Sequence, residues 1–204
     1  SAWLSERLTA RGLEVIAHVT VGDNLERMVA AIRRAHEEAD WVIITGGLGP
    51  TRDDLTREAL AFALNRPLQE SAVALAQIHT FFRHWQREMP DSNKVQALIP
   101  EGCEVIANPR GTAPGISYIE TNHISGCGIS GSKAASPLAK GGQRGVIALP
   151  GVPGEMKVMF ENFVAPRIGS ATNACTLAAK LHCFGISEAK LGETIADLMQ
   201  RGRN

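Results

Sequence analysis

The chain has 204 residues, with 21 basic and 21 acidic side chains, so its net charge gives no electrostatic footprint for nucleic acid or an anionic membrane surface. Hydrophobic residues make up 44% of it, an ordinary globular proportion, yet no apolar run nears the ~20 residues that cross a bilayer. No signal-peptide core opens the sequence, and Cys103, Cys127, Cys175 and Cys183 show neither CxxC nor zinc-finger spacing, which reads as thiols in a reducing cytoplasm.

The chain starts inside a helical pattern. Trp3, Leu4 and Leu8 share one face over residues 2–11, and Gly12 is placed as a C-terminal cap. "EVIAHVTV", residues 14–21, reads as a strand. Asp23 or Asn24 then caps a helix in which Leu25, Met28, Val29 and Ile32 recur at helical spacing. "DWVIIT" is a short apolar run, expected to be a strand buried on both faces. A helical region follows from about Leu55 to Met89, broken near Arg66-Pro67. This alternation predicts a parallel sheet with right-handed crossovers.

The second half is richer in strands: "CEVIAN", "GISYIE" and "GVIALP". Between the last two, residues 121–143 are rich in Gly, Ser and Ala and read as a loop or disordered insertion. A proline-initiated helix is expected within residues 151–168, then a linker at 170–176 and a strand and helix from 177. The organisation expected is a main domain over 1–169 and part of a small second domain over 176–204. Because the chain also stops just after a helix, a fragment cut at both ends is expected.

The stretch "TGGLGPTRDD" carries the most chemistry. It lacks the Gly-Lys-Ser/Thr of a Walker loop and the spacing of a dinucleotide fingerprint. Gly46, Gly47 and Gly49 permit positive φ and close backbone approach to an anion, with Thr51 beside them. The turn follows a strand, where ligands of open α/β sheets sit. Asp53 and Asp54 have two readings: either caps the following helix, or they hold a divalent cation that bridges the acids to a phosphate. Arg52 either balances phosphate charge or is solvated.

Other polar groups lie near strand ends. Asp23 in "VGDN" is a cap or a helper to the same cation. Asn93 and Lys94, with Gln96, are solvated loop groups or pocket groups. Gly111, Thr112 and Gly115 belong to "RGTAPG", and Pro150 and Gly151 to "LPGVPGEM", two further Gly-Pro turns. Glu155 caps its helix or serves as a third acid. The histidines have no partners at metal spacing, and no GxSxG elbow is present.

The succession "VGDN", "DWVIITGGLGPTRDDLTREALA", "NKVQALIPEG", "NPRGTAPGI", "ALPGVPGEMKVMFENFVAPRI" and "FGISEAKLGETIADL" resembles the amino-terminal part of the CinA (competence/damage-inducible) family over nearly the whole chain. The resemblance implies an α/β molybdopterin-binding-like fold: three α/β/α layers, a mostly parallel sheet, and the start of a small α+β appendage. It implies metal-dependent hydrolysis of a nucleoside-diphosphate compound such as ADP-ribose, using Mg²⁺, Mn²⁺ or Co²⁺. Asp53 and Asp54 are then the catalytic acids. Asp23 joins them at the metal, and the glycine turn, Arg52, Lys94 and the two other turns bind substrate. The alternative is a non-catalytic nucleotide- or molybdopterin-binding module. The partners expected are a small nucleotide and, at most, a second copy of the chain. The family's first strand and "GxELLxG"-type loop do not precede Ser1, so the sheet is expected to lack an element and the site a wall. The deamidase domain that follows in longer members is also outside this chain.

Overall fold

The structure, a computed structural model, describes residues 2–120, 143–168 and 183–197. The first helix, α1 (Ala2–Thr9), ends on Gly12 at φ 79°, where Leu13 N–H reaches back to Leu8 O. Only a residue tolerant of positive φ closes a helix in this way. α2 (Leu25–Glu38) is capped by Asn24, whose Oδ1 accepts the Arg27 N–H at 2.9 Å. Of the two candidates, then, Asn24 caps the helix and Asp23 does not.

α2 leads into β1 (Trp41–Thr45) and the glycine turn, and α3 (Thr56–Leu64) follows. The helical region breaks where expected: Asn65 adopts φ 53° before Arg66-Pro67, and Ser71 caps α4 (Ala72–His84) by accepting the Ala74 N–H. In the break lies β2 (Leu68–Glu70), antiparallel to β3 (Leu98–Pro100). A 3₁₀ helix, Asp91–Ala97, precedes β3.

The main sheet has the order β1-β6-β5-β4, adding β4 (Glu104–Ile106), β5 (Gly115–Glu120) and β6 (Arg144–Leu149). β1 pairs parallel with β6, while β5 runs antiparallel to both β6 and β4. The described sheet is therefore mixed where the alternation suggested a mostly parallel one. The connection from Ile106 to Gly115 is too short for a crossover, which needs about a dozen residues, so β4 and β5 pair as a hairpin.

Alternation along β6 defines the layers. Val146 and Ala148 join Ile32, Leu60 and Ile78 of the α2–α4 layer. Ile147 and Leu149 join Leu4 and the Met156, Phe160, Val164 and Ile168 face of the C-terminal helical run. Helices thus cover both faces of the sheet, and the α/β/α arrangement follows from the two-residue period of a strand. That run starts as α5 (Pro153–Met159) with Pro at its first position, widens to π spacing over Phe160–Val164, and ends as α6 (Ala165–Ile168).

Two strand expectations change. β1 is only half-buried along Trp41–Ile44, because among the described residues no strand pairs with its outer edge. Residues 14–21 form neither strand nor helix, and Ile16 and Val19 are 58% and 67% exposed. Their apolar alternation has no neighbouring ladder to join, and alternation without a partner does not make a strand. α7 (Glu188–Thr194), capped by Ser187, lies in the expected C-terminal helix. The 121–142 part of the insertion, the 170–176 linker and the strand expected from 177 lie outside the described residues.

Candidate functional site

The glycine turn leaves β1 with Gly46 at φ 99° and Gly47 at φ 67°. A Cβ on Gly47 would lie 2.2 Å from Thr56 Oγ1, so only glycine fits this backbone against this neighbour. Four successive carbonyls are tied from behind. Thr56 Oγ1–H donates to Gly46 O at 2.8 Å and Thr56 N–H to Gly47 O at 3.1 Å. Gln96 Nε2 donates to Leu48 O at 3.3 Å, and Arg57 Nη2 to Gly49 O at 2.8 Å. None of these peptides is cis. Each following N–H therefore points the opposite way from the tied carbonyl before it. The Gly49 N–H is taken by the Asp54 carboxylate. The N–H groups of Gly47 and Leu48 have no partner among the described residues.

The two aspartates are not equivalent. Asp54 Oδ2 accepts the Thr51 N–H at 2.9 Å and the Thr51 hydroxyl at 2.5 Å. Partial burial pushes the Asp54 carboxyl up, but the hydrogen bonds from Thr51 and Gly49 and the charge of Arg57 together outweigh it. Its pKa falls below the ordinary carboxylate value. Asp53 is exposed. Neither side chain caps α3, whose N-cap is Leu55.

The second wall is set by Asn108, which is 4% exposed. Its Oδ1 accepts the N–H groups of Arg110 and Gly111, and its Nδ2 donates to Ala113 O and to Glu155 Oε2. Every hydrogen-bonding position of this amide is used. Gly111 leaves room for the acid, since a Cβ there would meet Glu155 Oε2 at 2.3 Å.

A cavity of about 380 Å³ lies between these walls. Residues 46–50 and Asp54 form one side; Thr112, Ala113 and Gln96 form the next; residues 150–152 and Glu155 close it. Among the described residues its only charged lining side chains are Asp54 and Glu155, both acidic. No Arg or Lys lines it among the described residues.

Of the residues expected at the site, Gly46, Gly47, Gly49, Asp54, Thr112, Pro150, Gly151 and Glu155 come together. Thr51, Arg52, Asp53 and Asp23 are exposed and outside the lining, although Thr51 holds Asp54. Lys94 is not a pocket cation: it pairs with Asp91 at 2.8 Å on the surface. Asn93 is buried and donates to Gln96 Oε1, which leaves the Gln96 amide to meet Leu48 O. Gly111 backs Glu155, and Gly115 lies within β5, where a Cβ would meet Ala148 O at 2.9 Å. Sequence reasoning missed Arg57 and Asn108, and left Gln96 open between a solvated loop group and a pocket group; it lines the cavity. The signal for Asn108 was its place before the "RGTAPG" turn, a position where Asn bonds its own following backbone.

A divalent cation fits the donor set in one respect: an Mg²⁺-type ion needs only one or two carboxylates besides substrate phosphates. Asp54 and Glu155 are the two lining carboxylates that would hold such an ion. No group of three or more His, Cys, Asp or Glu side chains among the described residues is placed to hold a metal alone.

Residues 1–170 match the family described as "Probable molybdopterin binding domain". The chain is 40% identical over 199 residues to a "Putative competence-damage inducible protein" from Halothermothrix orenii, and that match takes in 98% of this chain and 43% of the relative. A protein of the same description from Shouchella clausii is 37% identical over 203 residues, with 99% of this chain and 44% of the relative covered. The chain thus spans under half the length of these relatives. It is also similar to the solved structure of the protein CinA, "with unknown function", from Thermoplasma acidophilum. The TM-score is 0.64 at 32% identity, covering 82% of this chain and 86% of that one. With the fold and a double match of this extent in agreement, the chain belongs to the CinA family and carries its molybdopterin-binding-like domain.

Proposed function

We propose that the cavity binds a nucleoside-diphosphate compound such as ADP-ribose and, with a divalent cation, hydrolyses its diphosphate. The observation that carries this reading is the pairing, among the described residues, of two unpartnered backbone N–H groups, on Gly47 and Leu48, with a lining whose only charges are acidic. Backbone N–H groups hold an anion. Two carboxylates beside that anion repel it unless a cation lies between them.

The chain's own residues have distinct tasks in this reading. Gly47 and Leu48 bind a phosphate oxygen. Asp54, ionised and fixed by Thr51, and Glu155, fixed by Asn108, hold the cation. Such an ion supplies neutralisation of phosphate charge and Lewis acidity. Pro150 and Val152 offer an apolar lip to the organic part of the ligand. The experiment is incubation of ADP-ribose with the chain and Mg²⁺, Mn²⁺ or Co²⁺, with AMP as the product to detect. No AMP with any of the three, at substrate levels that saturate binding, rules out the hydrolase reading.

A second reading is favoured by the family's description as a molybdopterin-binding domain and by the lack of a three-ligand metal group among the described residues. Here the cavity binds a nucleotide or a molybdopterin without turnover. Calorimetry with ADP-ribose and with molybdopterin separates the readings: tight pterin binding with no AMP formation selects the second.

A further inference from the structure

Arg57 is 2% exposed, on the first turn of α3. Its Nη2 donates to Gly49 O at 2.8 Å and also reaches Asp54 O at 3.4 Å. Its Nε and Nη1 are buried with no partner among the described residues. Buried guanidinium donors left unpaired are costly, and a well-packed apolar side chain of similar size at such a place is often no less stable. Stability alone therefore does not account for this arginine. Burial pulls its pKa down, and the charges of Glu58 and Asp54 offset part of that; a guanidinium stays protonated all the same.

What the side chain does is join the two ends of one segment. The Gly49 carbonyl is the exit of the glycine turn, and the Asp54 carbonyl belongs to the residue whose carboxylate lines the cavity. On the front of the same segment Asp54 binds Thr51 and Gly49 through its carboxylate. Thr56 and Gln96 fix the first three carbonyls of the turn but do not touch this exit. Together with the Thr51 and Gly49 bonds to its carboxylate, the Arg57 contacts set where Asp54 stands relative to the Gly47 and Leu48 amides. Both contacts come from one nitrogen, Nη2, on a buried planar guanidinium; a lysine offers instead a compact ammonium on a flexible stem.

We infer that Arg57 is a positioning residue for phosphate binding: from behind the turn, it fixes the spacing between the Gly47–Leu48 amide pair and the Asp54 carboxylate. This rests on the phosphate reading above. It extends that reading to a side chain that touches no ligand.

The test uses the full 204-residue chain, inorganic pyrophosphate as the probe, and Mg²⁺ present or absent. Arg57→Met and Arg57→Lys are compared with wild type by thermal unfolding, by calorimetry, and by the amide resonances of Gly47 and Leu48 in an ¹⁵N-labelled sample. The expected result is that Arg57→Met melts within a few degrees of wild type, yet binds pyrophosphate with Mg²⁺ about tenfold more weakly. Its Gly47 and Leu48 amides then shift less at saturation. Arg57→Lys lies between the two. If Arg57→Met melts too low to assay, Arg57→Lys decides: wild-type affinity and wild-type amide shifts in that variant remove the role of Arg57. Wild-type chain whose Gly47 and Leu48 amides ignore pyrophosphate in both conditions overturns the phosphate reading itself, and the inference with it. Wild-type binding that both variants reproduce overturns the inference alone.

Discussion

Asn108 Nδ2 donates to Glu155 Oε2 at 2.7 Å and so ties the turn between β4 and β5 to the start of α5, across 47 residues of sequence. The same amide holds the N–H groups of Arg110 and Gly111 and the carbonyl of Ala113. Asn108→Ala leaves several buried groups unpaired, each costing about 1–3 kcal/mol. The expected loss of stability is about 3 kcal/mol by urea unfolding, since a water can recover part of the deficit. Ligand affinity falls as well, because Glu155 loses its orientation. A variant as stable as wild type contradicts the assignment of Asn108 as the organiser of this wall.

Thr51 and Asp54 give a pH-dependent prediction. The native carboxyl is held below its ordinary value, so the unfolded state binds the proton more readily. The contribution of the pair is present above the unfolded pKa of about 3.9 and is lost as pH falls through the lower native value. Thr51→Val removes the hydroxyl bond and keeps the N–H bond. Thr51 is exposed, so screening limits the expected cost to about 0.5–1 kcal/mol at pH 7. Urea midpoints of wild type and variant, measured from pH 7 to pH 2, should converge at the acid end. A gap that stays constant or widens in acid contradicts the sign.

Glycine positions separate a built turn from a merely flexible one. Gly47→Ala forces a left-handed residue, at about 1–2 kcal/mol, and drives a Cβ to 2.2 Å from Thr56 Oγ1, which is buried and bonded to Gly46 O. Gly154 is the control. A Cβ there meets nothing nearer than Arg110 Nη1 at 3.8 Å, and the residue lies in the first turn of α5. Gly154→Ala should stabilise by about 0.5–1 kcal/mol, while Gly47→Ala should destabilise by about 2–3 kcal/mol and abolish anion binding. Thermal unfolding of the two variants side by side checks both signs.

These sites show which parts of the molecule the sequence makes legible. The glycine turn is legible because positive φ and crowding leave few residue choices, and its place after an apolar run locates it on the sheet. The choice between Asp53 and Asp54 is not legible, because it depends on which carboxylate folds back onto Thr51, three positions earlier. Lys94 reads as a phosphate partner until the 3₁₀ helix brings Asp91 to it. Arg57 carries no signal in the sequence, since its burial comes from packing behind a turn that closes on it from outside the helix. Residues 14–21 alternate as a strand does, but a strand also needs a neighbour, and the sequence of one segment does not contain that information. β2 and β3, at three residues each, are shorter than any pattern that periodicity can detect.

The two aspartates and Glu155 provide the decisive comparison for the site. Asp54 and Glu155 face the cavity and Asp53 does not. In the AMP-forming assay, Asp54→Ala and Glu155→Ala should each lower the rate by roughly 10²-fold, the scale of losing one placed electrostatic group. Asp53→Ala should leave the rate within about twofold, because an exposed carboxylate outside the cavity is screened by solvent. Chelation with EDTA should stop the reaction, and added Mg²⁺ or Mn²⁺ should restore it in wild type and in Asp53→Ala. In Asp54→Ala the restoring concentration should rise, since one of two carboxylates holding the ion is gone. The converse pattern, an inactive Asp53→Ala beside active Asp54→Ala and Glu155→Ala, moves the chemistry out of this cavity. Turnover that survives EDTA removes the cation from the account while leaving the amide cradle in place.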